Sequence, residues 1–244
     1  MNNIIFSFLL TALAGLATII GYFIIFIKIN QDKIISFSLA FSASVMFTIS
    51  FIDLLPSAFS YLKYYNFFFK YLLIFFFFIL GIFISNYISL KVKNNNSNLN
   101  KIGLISLIAI ILHNIPEGII TFMVSGVNFR LGMELAIAIS MHNIPEGISI
   151  AIPIFYGTNN KIKTFFMVLI AGFSELFGAI ICYLFLKNII TNIFIGINFS
   201  FIAGIMINIS IKELLPEAIL YKNNKLVFLG IIFGSITMIL SHIL

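Results

Sequence analysis

The sequence predicts an all-α, polytopic membrane protein with eight transmembrane helices. Three observations predict it. Of 244 residues, 61% are hydrophobic and only 9% charged, where a soluble domain carries roughly 25% charged residues. The mean hydropathy is +1.14. The apolar runs are as long as a helical span, unlike the roughly 10-residue alternating segments of an outer-membrane barrel. With 14 basic and 8 acidic side chains, the chain cannot cover a water-facing surface. That excludes a soluble enzyme, a secreted domain and a disordered protein together.

Eight apolar runs are expected to span, at about 4–27, 34–55, 67–90, 102–124, 131–155, 164–186, 189–211 and 226–243. Each approaches the ~20 residues that cross a hydrocarbon core of about 30 Å. The first run is too long for a signal-peptide core and has no small-residue cleavage site after it, so it is kept as a span. Phe-rich span three reads as lipid-facing bulk. Spans one, two and five are richer in Gly, Ala and Ser and are expected to pack inside. The polar stretch 91–101, KVKNNNSNLNK, is expected to be a flexible linker. Residues 1–244 are read as a single transporter domain. The single cysteine, Cys182, excludes an internal disulfide and reads as an inert buried thiol. The excess of Phe, Ile, Asn and Lys reads as coding bias.

The net charge of +6 is scattered singly between apolar runs, which fits membrane orientation and not nucleic-acid binding. The odd loops hold nine basic residues: Lys28, Lys33, Lys91, Lys93, Lys101, Lys161, Lys163, Lys222 and Lys225. The even loops and span ends hold four: Lys63, Lys70, Arg130 and Lys187. The positive-inside rule then puts the odd loops in the cytoplasm and both termini outside.

Several acids fall within the apolar runs. Glu117, Glu146 and Glu175 lie deep in spans four, five and six, and His113 and His142 lie midway along spans four and five. Each unpaired charge there costs about 2.5–3.5 kcal/mol on insertion scales. Such groups must face one another, water or a cation. Residues 113–118 read His-Asn-Ile-Pro-Glu-Gly, and residues 142–147 repeat those letters. Consecutive spans run in opposite directions, so mid-span motifs meet at one depth. Within each copy, His and Glu are four apart and share a helix face. The intervening Pro116 and Pro145 are expected to free the carbonyls of Leu112 and Met141 and to kink both helices. Broken helices at the midplane are where transporters place ion sites.

Two imidazoles, three carboxylates and the amide oxygens of Asn114 and Asn143 form a mixed N/O donor set. It suits zinc, iron or manganese better than an alkali cation or monovalent copper. A second repeat relates Asp53-Leu-Leu-Pro-Ser-Ala, after span two, to Glu213-Leu-Leu-Pro-Glu-Ala, after span seven. The odd number of spans between them implies opposite orientation, as in inverted-repeat transporters. Asp53 and Glu213 are candidate entrance and exit acids, or else caps of span ends.

At these residues the sequence resembles the ZIP family (Zrt-, Irt-like proteins), in its short bacterial, ZupT-like branch. The resemblance covers essentially the whole chain. It implies eight spans in a 3+2+3 inverted-repeat arrangement, both termini extracytoplasmic and a binuclear metal site on spans four and five. His113, Glu117, His142 and Glu146 would line one position. Asn114, Asn143, Glu117, Glu146 and Glu175 would line its neighbour, with Glu117 and Glu146 bridging. Met46 matches a family position beside the first metal, although its residue type also suits packing. Two departures stand out: residues 91–101 contain no His, and Lys212 stands where relatives often have a metal-friendly residue. An ion pair between Lys212 and Glu213 is one expectation for it.

The reading is a secondary transporter taking divalent metal, zinc foremost, into the cytoplasm across the cell membrane. Fe²⁺, Mn²⁺, Co²⁺ and Cd²⁺ are further candidates, and the metal is cargo and not a cofactor. The expected partners are divalent metal ions and the lipid bilayer, with a homodimer as a further assembly. Two alternatives stay open. An intramembrane metallohydrolase needs three protein ligands plus an activated water, and no HExxH is present. A passive divalent-metal channel has the same residue types as a carrier.

Overall fold

In a computed structural model that describes residues 2–92, 98–186 and 191–243, every regular element is helical. Eight helices are long and apolar enough to cross a membrane: Ile4–Phe26, Gln31–Tyr61, Phe67–Lys91, Asn98–Val127, Phe129–Thr158, Lys161–Phe185, Asn192–Leu220 and Asn224–Ser241. They are spans one to eight. Each expected run has its helix. Residues 93–97 of the expected linker, with Lys187, lie outside the described residues; Asn98–Lys101 already belong to span four.

Asparagine sets where spans begin. Asn30 accepts from the amides of Asp32 (2.9 Å) and Lys33 (3.4 Å). Asn66 accepts from Phe69 (2.8 Å), Asn128 from Leu131 (3.2 Å) and Asn160 from Lys163 (2.9 Å). Each side-chain oxygen satisfies an amide that the first helical turn leaves without a partner. The asparagine excess, expected to be only coding bias, therefore has a structural use at four span starts. Asn128 alone separates the helix Asn98–Val127 from the helix Phe129–Thr158, so spans four and five double back on each other.

Burial follows composition in part. In span three 11% of the most apolar window is buried, against 72% in span two and 67% in span five. The Phe-rich span is thus the most exposed, as its composition implies. Span one, expected inside, reaches only 44%, the same as span six, because Leu9, Leu13 and Ile20 on its outer face are exposed.

The chain forms two compact units. One contains spans one, four, five and six; the other contains spans two, three, seven and eight. Within the second unit span three packs on span seven, and span eight on span two. Exchanging two with seven and three with eight preserves this pairing, as an internal repeat requires. The contacts match residue by residue. A Cβ on Gly204 would overlap the Phe78 carbonyl, while Ser44, at the corresponding place in span two, donates its hydroxyl to the Ile231 carbonyl at 2.7 Å.

Spans two and seven are interrupted by π turns at Ser50–Leu54 and Ser210–Leu214. Both precede a proline, Pro56 or Pro216. A proline ring inside a helix clashes with the carbonyl four residues back, here Ile52 and Lys212. Widening the turn moves those carbonyls aside, and the helix continues to Tyr61 and Leu220. Asp53 and Glu213 thus sit inside spans two and seven, within the π turns. They do not follow the spans or cap their ends.

Candidate metal centre

Spans four and five carry the paired motifs through 30-residue helices that stay continuous past Pro116 and Pro145. Neither helix is interrupted at its proline. The interruptions in the described spans lie elsewhere, at the π turns of spans two, six and seven and near the turn in span one. A proline costs one backbone bond, and tight packing around these helices holds the remaining bonds in register.

The four-residue spacing places His113 and Glu117 on one face of span four, and His142 and Glu146 on one face of span five. His113 Nε2 lies 3.3 Å from Glu117 Oε2 and 3.4 Å from Glu146 Oε1. His142 Nε2 lies 3.0 Å from Glu117 Oε1. The imidazole centroids are 6.1 Å apart. One ligand atom from each of His113, His142 and Glu146 falls within 4.8 Å of the others. A tetrahedral ion with N/O ligands at about 2.0–2.2 Å separates those ligands by roughly 3.3–3.6 Å, close to the gaps found here. None of these four residues is more than 8% exposed.

The asparagines sit beside this cluster and reach outward with their nitrogens. Asn114 Nδ2 donates to the Ala171 carbonyl (3.0 Å), and Asn143 Nδ2 donates to the Ala14 carbonyl (2.9 Å) and to Glu175 Oε1. This fixes both amides with the oxygen on the other side. Asn114 Oδ1, Asn143 Oδ1, and one carboxylate oxygen each of Glu146 and Glu175 are buried without a hydrogen-bond partner among the described residues. A buried acceptor without a donor costs about 1–3 kcal/mol. Four together, all oxygens, make a concentration of electron pairs that suits a hard or borderline cation.

Glu175 reaches this depth because of glycine. A Cβ on Gly118 would collide with the Glu175 carbonyl, and one on Gly178 with the Ile115 carbonyl. Spans four and six therefore touch backbone to backbone. On the other side, a Cβ on Gly147 would collide with the Thr18 carbonyl. The final glycine of each His-Asn-Ile-Pro-Glu-Gly motif is thus a packing residue.

The remaining sequence candidates belong to the other unit. Met46 is fully buried in span two. Asp53, half-buried, accepts from the Ser57 hydroxyl at 3.1 Å. Glu213 accepts from the Ser89 hydroxyl at 2.5 Å. Lys212 donates to Asn86 Oδ1 at 3.1 Å, and no ion pair joins it to Glu213 among the described residues. An exposed ammonium gains little from a neighbouring carboxylate in preference to the amide oxygen that span three offers.

Sequence reasoning passed over the glycines of the motifs and the two serines of the π turns. Ser50 and Ser210 donate to the Met46 and Met206 carbonyls, both at 2.7 Å. The signal was present: the Asp53/Glu213 repeat extends upstream as Met-x-x-Ile-Ser, at 46–50 and 206–210.

Eight apolar helices and a buried imidazole–carboxylate cluster define a polytopic membrane protein whose interior holds a group of side chains that could bind a metal ion. Residues 88–242 match the family model described as ZIP Zinc transporter. The relatives include proteins named zinc transporter ZupT. That of Clostridium perfringens (strain 13 / Type A) is 37% identical, with 100% of this chain and 97% of the relative aligned. That of Streptococcus mutans serotype c is 38% identical over 98% and 97%. That of Campylobacter jejuni subsp. jejuni serotype O:2 is 35% identical over 98% and 96%. The chain belongs to the ZIP zinc transporter family and is a multi-pass protein of the cell membrane.

Proposed function

We propose that this chain is a secondary transporter that carries divalent transition-metal ions, zinc foremost, into the cytoplasm. The observation that carries the reading is the buried cluster of His113, His142 and Glu146 with Glu117 set against both imidazoles. His113, Glu117, His142 and Glu146 hold one ion. The oxygens of Asn114 and Asn143, with Glu117, Glu146 and Glu175, hold its neighbour, and Glu117 and Glu146 are shared. The ion sheds water and takes these ligands in exchange. Alternating access then exposes the site to the other face as one helix group moves against another. All seven ligands belong to one compact unit, so the constellation survives any motion that leaves that unit rigid.

Zinc is cargo here. A hydrolase needs an open ligand position where a metal-bound water meets a substrate. The doubled, carboxylate-rich donor set instead serves an ion that arrives and leaves, and the chain is not an enzyme. The odd loops face the cytoplasm, as their lysines require.

The test is uptake of radioactive zinc by purified protein in vesicles, with iron, manganese, cobalt and cadmium as competitors. Uptake should saturate and respond to an imposed gradient, whereas non-saturating flux would indicate a channel. His142→Ala and Glu146→Ala should each abolish accumulation while the protein remains in the membrane. Normal zinc uptake by either variant would overturn the site.

A further inference from the structure

The unit that holds the site is doubled internally, and the doubling can be followed atom by atom. Asn143 Nδ2 donates to the Ala14 carbonyl at 2.9 Å, and Asn114 Nδ2 to the Ala171 carbonyl at 3.0 Å. A Cβ on Gly147 would strike the Thr18 carbonyl, and one on Gly118 the Glu175 carbonyl. Gly21 lies against the Ile144 carbonyl as Gly178 lies against that of Ile115. Gly15 and Gly172 lie against each other's carbonyls. One rule accounts for every pair: span five maps onto span four and span one onto span six. Position 142 then corresponds to 113, 143 to 114, 146 to 117, and 14 to 171.

Under that rule Thr18 corresponds to Glu175. The histidines, asparagines and glutamates of the motifs map onto their own kind. The third glutamate maps onto a threonine. Both side chains are fully buried, and both point the same way within the repeat: a Cβ on Gly172 would lie 3.6 Å from Thr18 Cβ, and one on Gly15 3.0 Å from Glu175 Cβ. Their bonding differs. Glu175 accepts from Asn143, whereas the Thr18 hydroxyl turns back to the Gly15 carbonyl of its own helix at 2.7 Å. Among the described residues, Asn114 Nδ2 keeps the Ala171 carbonyl alone.

We infer that residue 18 is the second copy of the Glu175 position, kept neutral in this chain, and that Thr18 thereby holds the site at three carboxylates and sets how tightly the second ion is bound. The inference rests on the metal-site reading above. Two divalent ions bring four positive charges, so three carboxylates leave the loaded site cationic. Coulomb attraction for the second ion is then weaker than a fourth carboxylate would make it, which favours release.

The test exchanges the two residues. Zinc binding to purified protein in detergent is measured by titration calorimetry for the wild type, Glu175→Thr, Thr18→Glu and the double exchange. The expected results are two ions for the wild type, one for Glu175→Thr and two again for the double exchange, whose carboxylate addresses Asn114 in place of Asn143. Thr18→Glu alone should bind the second ion roughly ten-fold or more tightly, with a lower KM and a lower kcat for uptake. Two ions retained by Glu175→Thr would refute the placement of Glu175 and leave position 18 without a counterpart. One ion in Glu175→Thr and still one in a folded double exchange would refute the inference alone. If Thr18→Glu does not fold, Thr18→Asp, shorter by one methylene, takes its place. Failure of both to fold would mean that position 18 cannot carry a carboxylate as its counterpart does, and that too overturns the inference.

Discussion

Glu117 is the hub of the cluster, because its two oxygens face different imidazoles, His142 at 3.0 Å and His113 at 3.3 Å. Glu117→Gln keeps the shape and removes the charge. It should weaken zinc binding by at least roughly ten-fold, read by titration of the purified protein; an unchanged affinity would remove Glu117 from the ligand set. Proton linkage acts on the same residues. Imidazole and carboxylate must be deprotonated to bind metal, so protons compete with zinc. The apparent KM for uptake should rise as external pH falls, and a pH-independent KM would contradict N/O ligation. The members of the buried cluster were legible from the motifs, since His and Glu four apart share a face in any helix. The role of the asparagine nitrogens was not. Which end of an amide turns inward depends on the Ala14 and Ala171 carbonyls of other helices, far away in sequence.

At the level of the helix, glycines and prolines do work that hydropathy does not register. Gly118→Ala pushes a methyl into the Glu175 carbonyl, and Gly147→Ala pushes one into that of Thr18. Overpacking of this kind costs about 1–3 kcal/mol. Each variant should melt several degrees lower in detergent, whereas Gly126→Ala, whose new methyl finds only the Ser7 hydroxyl at 3.5 Å, should melt close to wild type. Melting temperatures that do not separate the two classes would contradict the backbone contact. The prolines divide into two kinds. Pro116, Pro145 and Pro153 lie inside unbroken helices, while Pro56 and Pro216 follow π turns. Sequence reasoning expected a kink at Pro116 and Pro145 and singled out no interruption at Pro56 and Pro216, because a proline looks alike in any apolar run. If Pro216 causes its π turn, Pro216→Ala should slow hydrogen exchange across Ser210–Leu214; unchanged exchange would assign the turn to other forces.

For the molecule as a whole, orientation is the property most open to direct measurement. Cys182 is buried, so cysteines introduced elsewhere report with little background. A cysteine at Lys63 should react with an impermeant maleimide added to intact cells, and one at Lys161 only after lysis. The reverse pattern would invert the topology. The eight spans and the pairing of repeated motifs on spans four and five were determined by the sequence alone. Both follow from local rules: hydropathy over about 20 residues and the side-chain period of a single helix. The grouping of spans one, four, five and six into one unit was decided only by the tertiary structure. So were the depth at which Glu175 meets Asn143 and the correspondence of Thr18 with Glu175. Those features depend on which backbones approach closely enough to touch. In lipid that is governed by packing between helices distant in the chain, not by hydrophobicity, which every span shares.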